Sequence, residues 1–501
     1  MEKHIVAIDQ STAGTKALVV DRYGRVVAKS SADHRQIYPR PGWVEHDPLE
    51  IYENVKRTMR EALRQASLTA ADLAAISITN QRETAVVWDG ETGLPVHNAI
   101  VWQCQRTADR CSELRAAGGE RDVQTKTGLR LDPYFSAAKW GWILRDTENA
   151  GSLLRQGRLL AGTIDSWLIW KLTGGRTHAT DYTNASRTSL FNIHTLAWDE
   201  ELCRLFGVPP ALLPEVKFSD DLYGHTADPD LFAEQVPICG VIGDSQAALF
   251  GQLCLEPGEA KATYGTGTSV LMNIGERPAA PGSGLVTAVA WGRDGKVTYA
   301  LEAIIRSTGD TVKWARESLG LFDSFEELDD MLRRTPDNEG VYLVPAFVGM
   351  GAPYWDPYAR AAITGMSRAA GRAHIVRAAV ESIAYQVRDA ADLMEKESGI
   401  PLVRLNADGG ASVNPLLMQF QADMLGLPVL KSEVAELSAM GSVYMAGLGV
   451  EYWSSLDEIV RMSRQGRQYT PMIEAAERER LYEGWRRAVA AVLSGTSGTG
   501  C

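Results

Sequence analysis

The sequence predicts an α/β protein that consists of two similar halves facing a shared cleft. Short apolar runs with the length of strands alternate along the chain with segments of helical periodicity, which is typical of α/β proteins. A strand, a turn rich in threonine and glycine and a second strand occur once around Thr12 and again around Thr266, 254 positions later in a chain of 501 residues. A repeat with this spacing indicates duplicated domains. A chain of this length also exceeds what one hydrophobic core usually supports.

Composition and charge indicate a globular protein of the cytoplasm. Apolar residues make up 45% of the chain and charged residues 23%, which is ordinary for soluble domains. A net charge of -12 without any compensating basic run argues against a nucleic-acid partner. Six cysteines without Cys-x-x-Cys spacing fit free thiols in a reducing compartment. No apolar run approaches the roughly 20 residues of a membrane span, and the first residues lead directly into a strand, so we expect neither membrane insertion nor a signal peptide.

The first strand–turn–strand unit has a strand at residues 5–8, a polar turn at 9–16 and a returning strand at 17–20. Glycine lets the backbone approach a ligand and threonine adds a hydroxyl donor, which suits phosphate. We therefore expect a phosphate chain to lie between this turn and the later one. The residues of this turn that are expected to contact it are Thr12, Ala13 and Gly14.

Two charged residues stand at the ends of the first turn. Lys16 supplies a cation for phosphate, whereas the carboxylate of Asp9 would be repelled by phosphate. A carboxylate at this position is explained if Mg²⁺ lies between the two, so Asp9 is the candidate metal ligand. The alternative is that Asp9 only forms the turn through its side chain.

The stretch from residue 239 to 270 combines a candidate reactive group with a second candidate phosphate turn. A short apolar run ends at Gly243, and Asp244 begins an alanine-rich helical segment. A carboxylate at the carboxyl end of a strand is where α/β proteins place reactive groups. The alternative for Asp244 is an ordinary helix cap. The turn at 265–268 either contacts phosphate or is an ordinary hairpin turn, and it lacks the third glycine of a dinucleotide fingerprint.

Candidate ligands for a small polar molecule follow the strand at residues 73–78. Arg82 and Glu83 place a fork of donors beside an acceptor, a combination that holds several hydroxyl groups of one molecule. The alternative is a solvated surface ion pair. Tyr134 adds an aromatic hydroxyl group just before a tryptophan-rich helix around residues 139–144.

Two helix starts in the second half carry further candidate ligands. The segment from residue 307 opens a helix that includes Gly309 and Lys313, and residues 374–397 form a packed helix. After a strand at 402–405, Asn414 as N-cap and the following proline as the first helical residue fully explain the start of a helix. That helix start does not require the preceding pair of glycines, which includes Gly410. A flat ligand lying against bare backbone would explain why glycines stand there.

Several longer stretches resemble one family of enzymes. They are residues 36–47, 78–84, 98–104, 181–187, 352–358 and 408–410. With them, the chain resembles the FGGY sugar and polyol kinases, and specifically their glycerol-phosphorylating branch, from Asp9 to about Trp485. The resemblance implies two duplicated ribonuclease-H-like (actin-like ATPase) domains with a cleft between them. We expect an N-terminal polyol- and phosphate-binding domain at 1–250, a C-terminal nucleotide-binding domain at 251–493 and a flexible tail at 494–501.

The resemblance also implies an activity and a role for each candidate residue. The activity is that of a phosphotransferase with an alcohol acceptor, which uses ATP and Mg²⁺ to convert glycerol into sn-glycerol 3-phosphate, and we expect a homo-oligomer. Asp244 would be the general base. The polyol ligands would be Arg82, Glu83, Tyr134, Asp244 and Ser245, the nucleotide and phosphate contacts Thr12, Thr266, Gly309, Lys313, Gly410 and Asn414, and the magnesium partner Asp9.

Some positions depart from the family pattern. Ser245 and Ser269 stand where the family has glutamine and phenylalanine, and Lys16 stands where it has arginine. Two smaller side chains predict a wider and wetter substrate pocket. A longer polyol or a ketose, similar to erythritol or xylulose, is therefore an alternative substrate. A nucleotide switch similar to actin or Hsp70 is an alternative of another class, in which the polyol ligands would have no role.

Overall fold

The computed structural model describes residues 3–280, 282, 284–463 and 466–494. The tail predicted to be flexible at 494–501 lies outside the described residues except for its first position, Ser494, which ends the final helix. Within the described part of the chain, no helix is long and apolar enough to span a membrane.

The first half of the chain alternates strands and helices. Its strands are β1 His4–Gln10, β2 Gly14–Val20, β3 Val26–Asp33, β4 Glu45–His46, β5 Leu73–Asn80, β6 Val86–Asp89, β7 Ala99–Ile100, β8 Leu159–Gly162, β9 Ala179–Asp181, β10 Phe191–Asn192, β11 Ala197–Trp198, β12 Glu215–Lys217, β13 Leu222–His225 and β14 Pro237–Gly243. Its helices are α1 Pro48–Ala66, α2 Ala108–Ala116, α3 Glu120–Thr127, α4 Ser136–Asp146, α5 Ala150–Arg155, α6 Ile164–Leu172, α7 Tyr182–Ala185, α8 Glu200–Phe206 and α9 Asp244–Gly251.

The second half repeats this alternation. Its strands are β15 Glu259–Tyr264, β16 Thr268–Gly275, β17 Val286–Arg293, β18 Lys296–Ile305, β19 Tyr342–Val344, β20 Ala362–Thr364, β21 Arg404–Asp408, β22 Val429–Lys431 and β23 Arg467–Tyr469. Its helices are α10 Gly309–Glu317, α11 Phe325–Arg334, α12 Arg372–Ser398, α13 Pro415–Leu425, α14 Leu437–Gly449, α15 Leu456–Met462 and α16 Ala475–Ser494.

The two main sheets have the same internal order, which supports the predicted duplication. The first runs β13-β14-β5-β1-β2-β3 and the second runs β23-β22-β21-β15-β16-β18, extended by β17. In each sheet a central strand pairs antiparallel with the next strand of its hairpin and parallel with a later strand on its other side. The turns around Thr12 and Thr266 occupy equivalent places in the two sheets.

The first polar turn is shorter than the sequence predicts. Strand β1 continues through Gln10 and β2 already begins at Gly14, because the polar residues at both ends pair across the hairpin, Asp9 opposite Lys16. The interpretation of Asp9 as a turn-forming residue is therefore wrong, since Asp9 lies inside a strand.

A central core joins the halves. Ile5 and Ala7 from one face of the first sheet pack with Phe250 of α9, Leu271 of β16 and Tyr444 of α14. Helix α14 packs on β1, β5 and β14 of the first sheet although it follows β22 of the second sheet in the chain. This crossing brings residues of the C-terminal half next to the first hairpin.

Candidate active site

Asp244 lies where β14 ends and α9 begins. Gly243 is the N-cap residue of this helix and makes no side-chain cap, so the interpretation of Asp244 as the cap is wrong. Asp244 Oδ1 instead accepts a hydrogen bond from the Ser245 backbone at 2.7 Å and lies 3.2 Å from Arg82 Nε. A Cβ on Gly243 would come within 2.8 Å of Arg82 Cγ, so glycine at this position allows the arginine to pass. The Asp244 side chain is 38% exposed and therefore available to a substrate.

Arg82 and Glu83 belong to a buried cluster of four charged side chains. Arg82 Nη2 lies 2.9 Å from Glu302 Oε1, Arg187 Nε lies 2.6 Å from Glu83 Oε1, and Arg187 Nη1 lies 2.5 Å from Glu302 Oε2. All four side chains are at most 5% exposed. The interpretation of Arg82 and Glu83 as a solvated surface pair is therefore wrong. Two arginines balance two glutamates, which is the condition under which charges tolerate burial.

Burial and the neighbouring charges shift the pKa values of the cluster residues in opposite directions. Burial alone would raise the pKa of Glu302, but the guanidinium groups of Arg187 and Arg82 lower it to about 2. Burial raises the pKa of Glu83, and the same two arginines limit that rise. The nearby carboxylates raise the pKa of Arg82 well above its ordinary value despite its burial.

Tyr134 borders the cluster and connects it to the first turn through Trp102. The Tyr134 ring lies 5.8 Å from the guanidinium carbon of Arg187 and 5.2 Å from the Trp102 ring. Trp102 Nε1 donates a hydrogen bond of 2.9 Å to Thr12 Oγ1. The buried ammonium group of Lys139 donates to the backbone carbonyl of Tyr134. An indole ring therefore stands between the candidate polyol ligand and the candidate phosphate turn.

The first turn is held by its own hydrogen bonds. Ser11 N and Ser11 Oγ donate to the Gly14 carbonyl at 2.9 and 3.0 Å. A Cβ on Gly14 would come within 2.7 Å of the Ala32 carbonyl oxygen, so this glycine is needed for packing on β3. Ala13 is exposed at the tip of the turn.

Asp9 and Lys16 lie opposite each other on β1 and β2. Burial raises the pKa of Asp9 to about 7, because the charge of Lys16 only partly offsets it and Asp244 and Glu436 add to the rise. Lys16 Nζ lies 2.8 Å from Glu436 Oε2, and Lys29 Nζ lies 2.9 Å from Glu436 Oε1. The lysine that we predicted to contact phosphate is thus paired with a glutamate that precedes α14.

A cavity of about 410 Å³ opens between α9 and the second sheet. Asp244 and Ser245 line it, and so do the glycines and Thr268 of the second turn. Ser269 also lines this cavity, so both serines that replace larger family residues face the same space. The remaining lining residues are Ala248, Lys261, Thr263, Ile304, Ile305, Arg306, Asp408 and Ser438.

A second cavity of about 610 Å³ lies on the other side of the second turn. It brings together all five nucleotide contacts expected in the C-terminal half, namely Thr266, Gly309, Lys313, Gly410 and Asn414. The apolar side chains of Phe325, Val380, Ile383 and Leu417 line it as well. A cavity with an apolar wall and a few convergent polar groups is typical of sites for flat organic ligands.

The start of α10 is locked to the second turn. Gly309 N donates to the Gly265 carbonyl at 3.1 Å and Thr308 N donates to the Thr266 carbonyl at 3.0 Å. A Cβ on Gly309 would come within 2.4 Å of the Gly265 oxygen, so only glycine fits there. The turn at 265–267 is thus a hairpin turn that also forms the wall between the two cavities.

Asn414 and the glycine pair have separate explanations. The Asn414 side chain caps α13 by accepting from Leu416 N at 2.9 Å and Leu417 N at 3.1 Å, as predicted. Gly409 has a φ of 90° and lies against the Tyr264 backbone, where a Cβ would come within 2.5 Å, so packing requires it. A Cβ on Gly410 would have nothing within 4 Å. Gly410 therefore leaves bare backbone facing the cavity.

Several residues that complete the site were missed at the sequence level. They are Trp102, Arg187, Lys261, Glu302, Asp408 and Glu436. Lys261 and Glu302 gave a usable signal, because each is a charged residue within a largely apolar run that forms a strand, where charge is rare without a partner. Glu436 gave none, since its contact with Lys16 spans 420 positions.

Comparisons with known proteins agree on one family. The model of the N-terminal domain of the FGGY family of carbohydrate kinases matches residues 4–251, and the model of its C-terminal domain matches residues 260–450. The chain is 53% identical to a glycerol kinase of Symbiobacterium thermophilum over 486 residues, 97% of each chain. It is 51% identical to glycerol kinase 2 of Thermotoga maritima over 491 residues, 98% of this chain and 99% of that one.

Solved structures show the same fold. A Plasmodium falciparum glycerol kinase with ADP superposes with a TM-score of 0.94 at 36% identity and covers 98% of each chain. A xylulose kinase of Lactobacillus acidophilus superposes with a TM-score of 0.87 at 22% identity, over 98% of this chain and 99% of that one, which shows the fold alone.

Proposed function

The chain belongs to the FGGY family of carbohydrate kinases, and we propose that it transfers the γ-phosphoryl group of ATP to a primary hydroxyl group of glycerol, which yields sn-glycerol 3-phosphate. The observation that carries this proposal is the position of Asp244. It contacts the buried cluster through Arg82 and lines a cavity that the second glycine-rich turn also lines. An acceptor hydroxyl group and a phosphoryl group can therefore meet at one carboxylate.

The buried cluster and its neighbours are suited to hold the acceptor. Arg82 offers guanidinium donors, Glu83 an acceptor and Tyr134 a phenol group, and a polyol presents donors and acceptors that these groups complement. Ser245 replaces a longer family side chain at the rim of the Asp244 cavity. Because the salt bridges fix the orientation of Arg82 and Glu83, the acceptor would be positioned without reorganisation of the protein.

Asp244 would accept the proton of the attacking hydroxyl group. Phosphoryl transfer passes through a loose transition state, so positioning and charge neutralisation supply most of the rate acceleration. The ion pair with Arg82 keeps the carboxylate beside the acceptor site, and its partial exposure leaves one side open to the substrate.

The nucleotide would lie across the second turn. The adenine base of the nucleotide would occupy the cavity of about 610 Å³ and lie against the bare backbone of Gly410. The phosphate chain would pass Thr266 toward Asp244, with Thr12 and its turn on the opposite side. Lys313 lies at the mouth of this cavity with a 67% exposed side chain, only loosely paired with Glu317 at 3.8 Å, and so is free to approach a nucleotide.

The residues around Asp9 fit Mg²⁺. Burial is the main cause that raises the pKa of the Asp9 carboxyl group, and the neighbouring charge of Asp244 adds to that rise. A bound cation would offset this repulsion and favour the ionised form of Asp9. When bound, Mg²⁺ would neutralise phosphate charge. Asp9 would hold it directly or through water, while Asp244 remains directed toward the acceptor.

Glycerol is favoured over the alternatives. Relatives that are named glycerol kinase match at 50–53% identity over nearly the full chain, whereas sugar kinases such as the xylulose kinase match at 22%. A longer polyol or ketose is therefore not favoured, although both serines line the cavity. A nucleotide switch is not favoured either, because the four buried charges around the acceptor site would have no role in it.

We further propose that the protein is cytoplasmic and forms a homo-oligomer. Five buried free cysteines among the described residues are compatible with the cytoplasm. Exposed apolar side chains between residues 348 and 366, namely Val348, Tyr358 and Met366, are candidates for contacts in a homo-oligomer. Light scattering coupled to gel filtration would measure the assembly state.

The decisive experiment is a coupled ADP-release assay with MgATP and glycerol, erythritol, xylulose or no acceptor. We expect kcat/KM for glycerol to exceed that for the other acceptors and ADP release to fall to background without acceptor. A higher kcat/KM for a longer acceptor would overturn the choice of glycerol. Turnover that is independent of acceptor would overturn the assignment as a kinase of this type.

A further inference from the structure

Lys261 is a buried lysine that faces the Asp244 cavity. In β15 the residues Ala260, Ala262 and Tyr264 point into the core of the second sheet, so Lys261 and Thr263 point to the opposite face, toward α9. Lys261 is 2% exposed and lines the cavity of about 410 Å³ together with Asp244.

The Lys261 ammonium group has no ionic partner among the described residues. Its one hydrogen bond goes to Thr263 Oγ1 at 3.0 Å, and no carboxylate oxygen of the described chain lies within 4.0 Å. Asp408 follows on the neighbouring strand opposite Thr263, and its Oδ1 also lacks a hydrogen-bond partner. Burial is the main influence on the pKa of Lys261 and lowers it. The charges of nearby groups add smaller effects, upward from the carboxylates of Asp408, Glu302 and Asp244 and downward from Arg82.

An unpaired buried ammonium group is costly, and natural proteins keep such groups where a ligand supplies the missing charge. The other cation that lines the cavity is Arg306, which is exposed and donates to the Val348 carbonyl. Of these two cations that line the cavity, Lys261 is therefore the buried one, and Asp244 and the second turn line the same space.

We propose that Lys261 is a catalytic residue whose ammonium group binds the phosphoryl group during transfer, an inference that rests on the proposed function. In that step the acceptor oxygen forms a bond to the γ-phosphorus, the bond from that phosphorus to the bridging oxygen of ADP breaks, and the acceptor proton passes to Asp244. Lys261 keeps its protons and neutralises charge on the equatorial oxygens. Lys261 thereby supplies a cation for the phosphoryl group from the second sheet. Lys16 on the first sheet does not supply one, because it is paired with Glu436.

The test compares the substitution Lys261→Met with the wild-type protein. Methionine has nearly the same length without charge, so we expect kcat to fall by about 100-fold or more, as for loss of one charge-stabilising donor. The KM for glycerol and the Kd for ADP should change by less than about threefold, because Lys261 is proposed to contact the transferring phosphoryl group and neither glycerol nor ADP. The thermal midpoint should not fall, since the substitution removes an unpaired buried charge.

Two further variants sharpen the comparison. Lys261→Arg keeps a cation and should retain more activity than Lys261→Met. Lys56→Met is the matched control, because Lys56 is also buried but lies on α1 with its ammonium group 2.7 Å from Glu53 Oε1. This control should leave kcat unchanged and should not gain stability.

The outcomes separate the two proposals. A wild-type protein without glycerol-dependent ADP release would overturn the proposed function. Lys261 would then be judged by isothermal titration with ADP and with the non-hydrolysable ATP analogue AMP-PNP. A selective loss of AMP-PNP affinity in Lys261→Met supports the phosphoryl contact, and an unchanged ratio of the two affinities overturns it. A fully active Lys261→Met variant, or one that fails to fold, would also contradict the inference.

Discussion

Replacement of Asp244 by asparagine tests the centre of the proposed site. The substitution preserves shape but removes the proton acceptor, and loss of a general base typically costs about 10²–10⁴-fold in rate. We expect kcat to fall by at least about 100-fold, which corresponds to roughly 2.7 kcal/mol of transition-state stabilisation. The KM for ATP should change little, because Asp244 does not line the cavity that is expected to hold the adenine base of ATP.

The structure also predicts what Asp244→Asn leaves intact. The Asp244 side chain is 38% exposed and its ion pair with Arg82 measures 3.2 Å, so its loss should cost no more than about 1 kcal/mol of stability. Arg82 retains its contact with Glu302 at 2.9 Å, so the acceptor cluster should remain assembled. Urea unfolding would measure this stability independently of activity.

Asp199→Asn is the matched control for this experiment. Asp199 also stands at the start of a helix, where it caps α8 by accepting from two backbone N–H groups, but it does not line either cavity. Asparagine caps helices about as well as aspartate, so activity should be unchanged. Initial rates over a range of glycerol and ATP concentrations decide the matter. An Asp244→Asn variant with wild-type kcat would refute the assignment of Asp244 as the base.

Three further predictions concern the cluster and the cavities. Glu302→Gln leaves two buried guanidinium groups with one buried carboxylate, that of Glu83, besides the partly exposed Asp244, so urea unfolding should show a loss of about 3–5 kcal/mol of stability. The charges around Glu302 lower its pKa from 4.5 to about 2 despite burial, so its stabilising contribution is complete above about pH 4.5 and is lost as the pH falls toward 2; an equal acid sensitivity in the variant would contradict this. Gly309→Ala places a Cβ within 2.4 Å of the Gly265 oxygen and should cost about 1–3 kcal/mol of stability, whereas Gly410→Ala, which has open space, should weaken only ADP binding in titration calorimetry. Ser269→Phe should raise kcat/KM for glycerol over erythritol by about tenfold by filling the cavity, and an unchanged ratio would show that this position does not face the acceptor.

Local patterns in the sequence were sufficient to predict much of the fold. The alternation of apolar runs predicted the strands on both sides of Asp244, and asparagine followed by proline predicted the start of α13 at Asn414. The repeated hairpins predicted duplicated domains, and the two main sheets do share one internal strand order. These features depend on contacts between residues that are close in the chain, so periodicity and capping chemistry are enough to reveal them.

The resemblance to known kinases supplied candidate ligands but not their electrostatic surroundings. Arg82 and Glu83 could be read as a surface pair until the fold placed Arg187 and Glu302 around them. Lys16 was expected to supply a cation for phosphate, and no local sequence pattern indicated that Glu436 pairs with it.

What the sequence by itself determined is the set of strands, turns and helix starts that present Asp9, Asp244 and the two glycine-rich turns. What only the tertiary structure decided is which charges meet, because ion pairs are selected by sheet order and by the return of α14 to the first sheet. Arg82 reaches Glu302 across 220 positions of the chain, and Lys261 is left without an ionic partner in the described residues by the same packing. The energy of a buried charge depends on every group within a few ångströms, and no local pattern encodes which distant groups those will be.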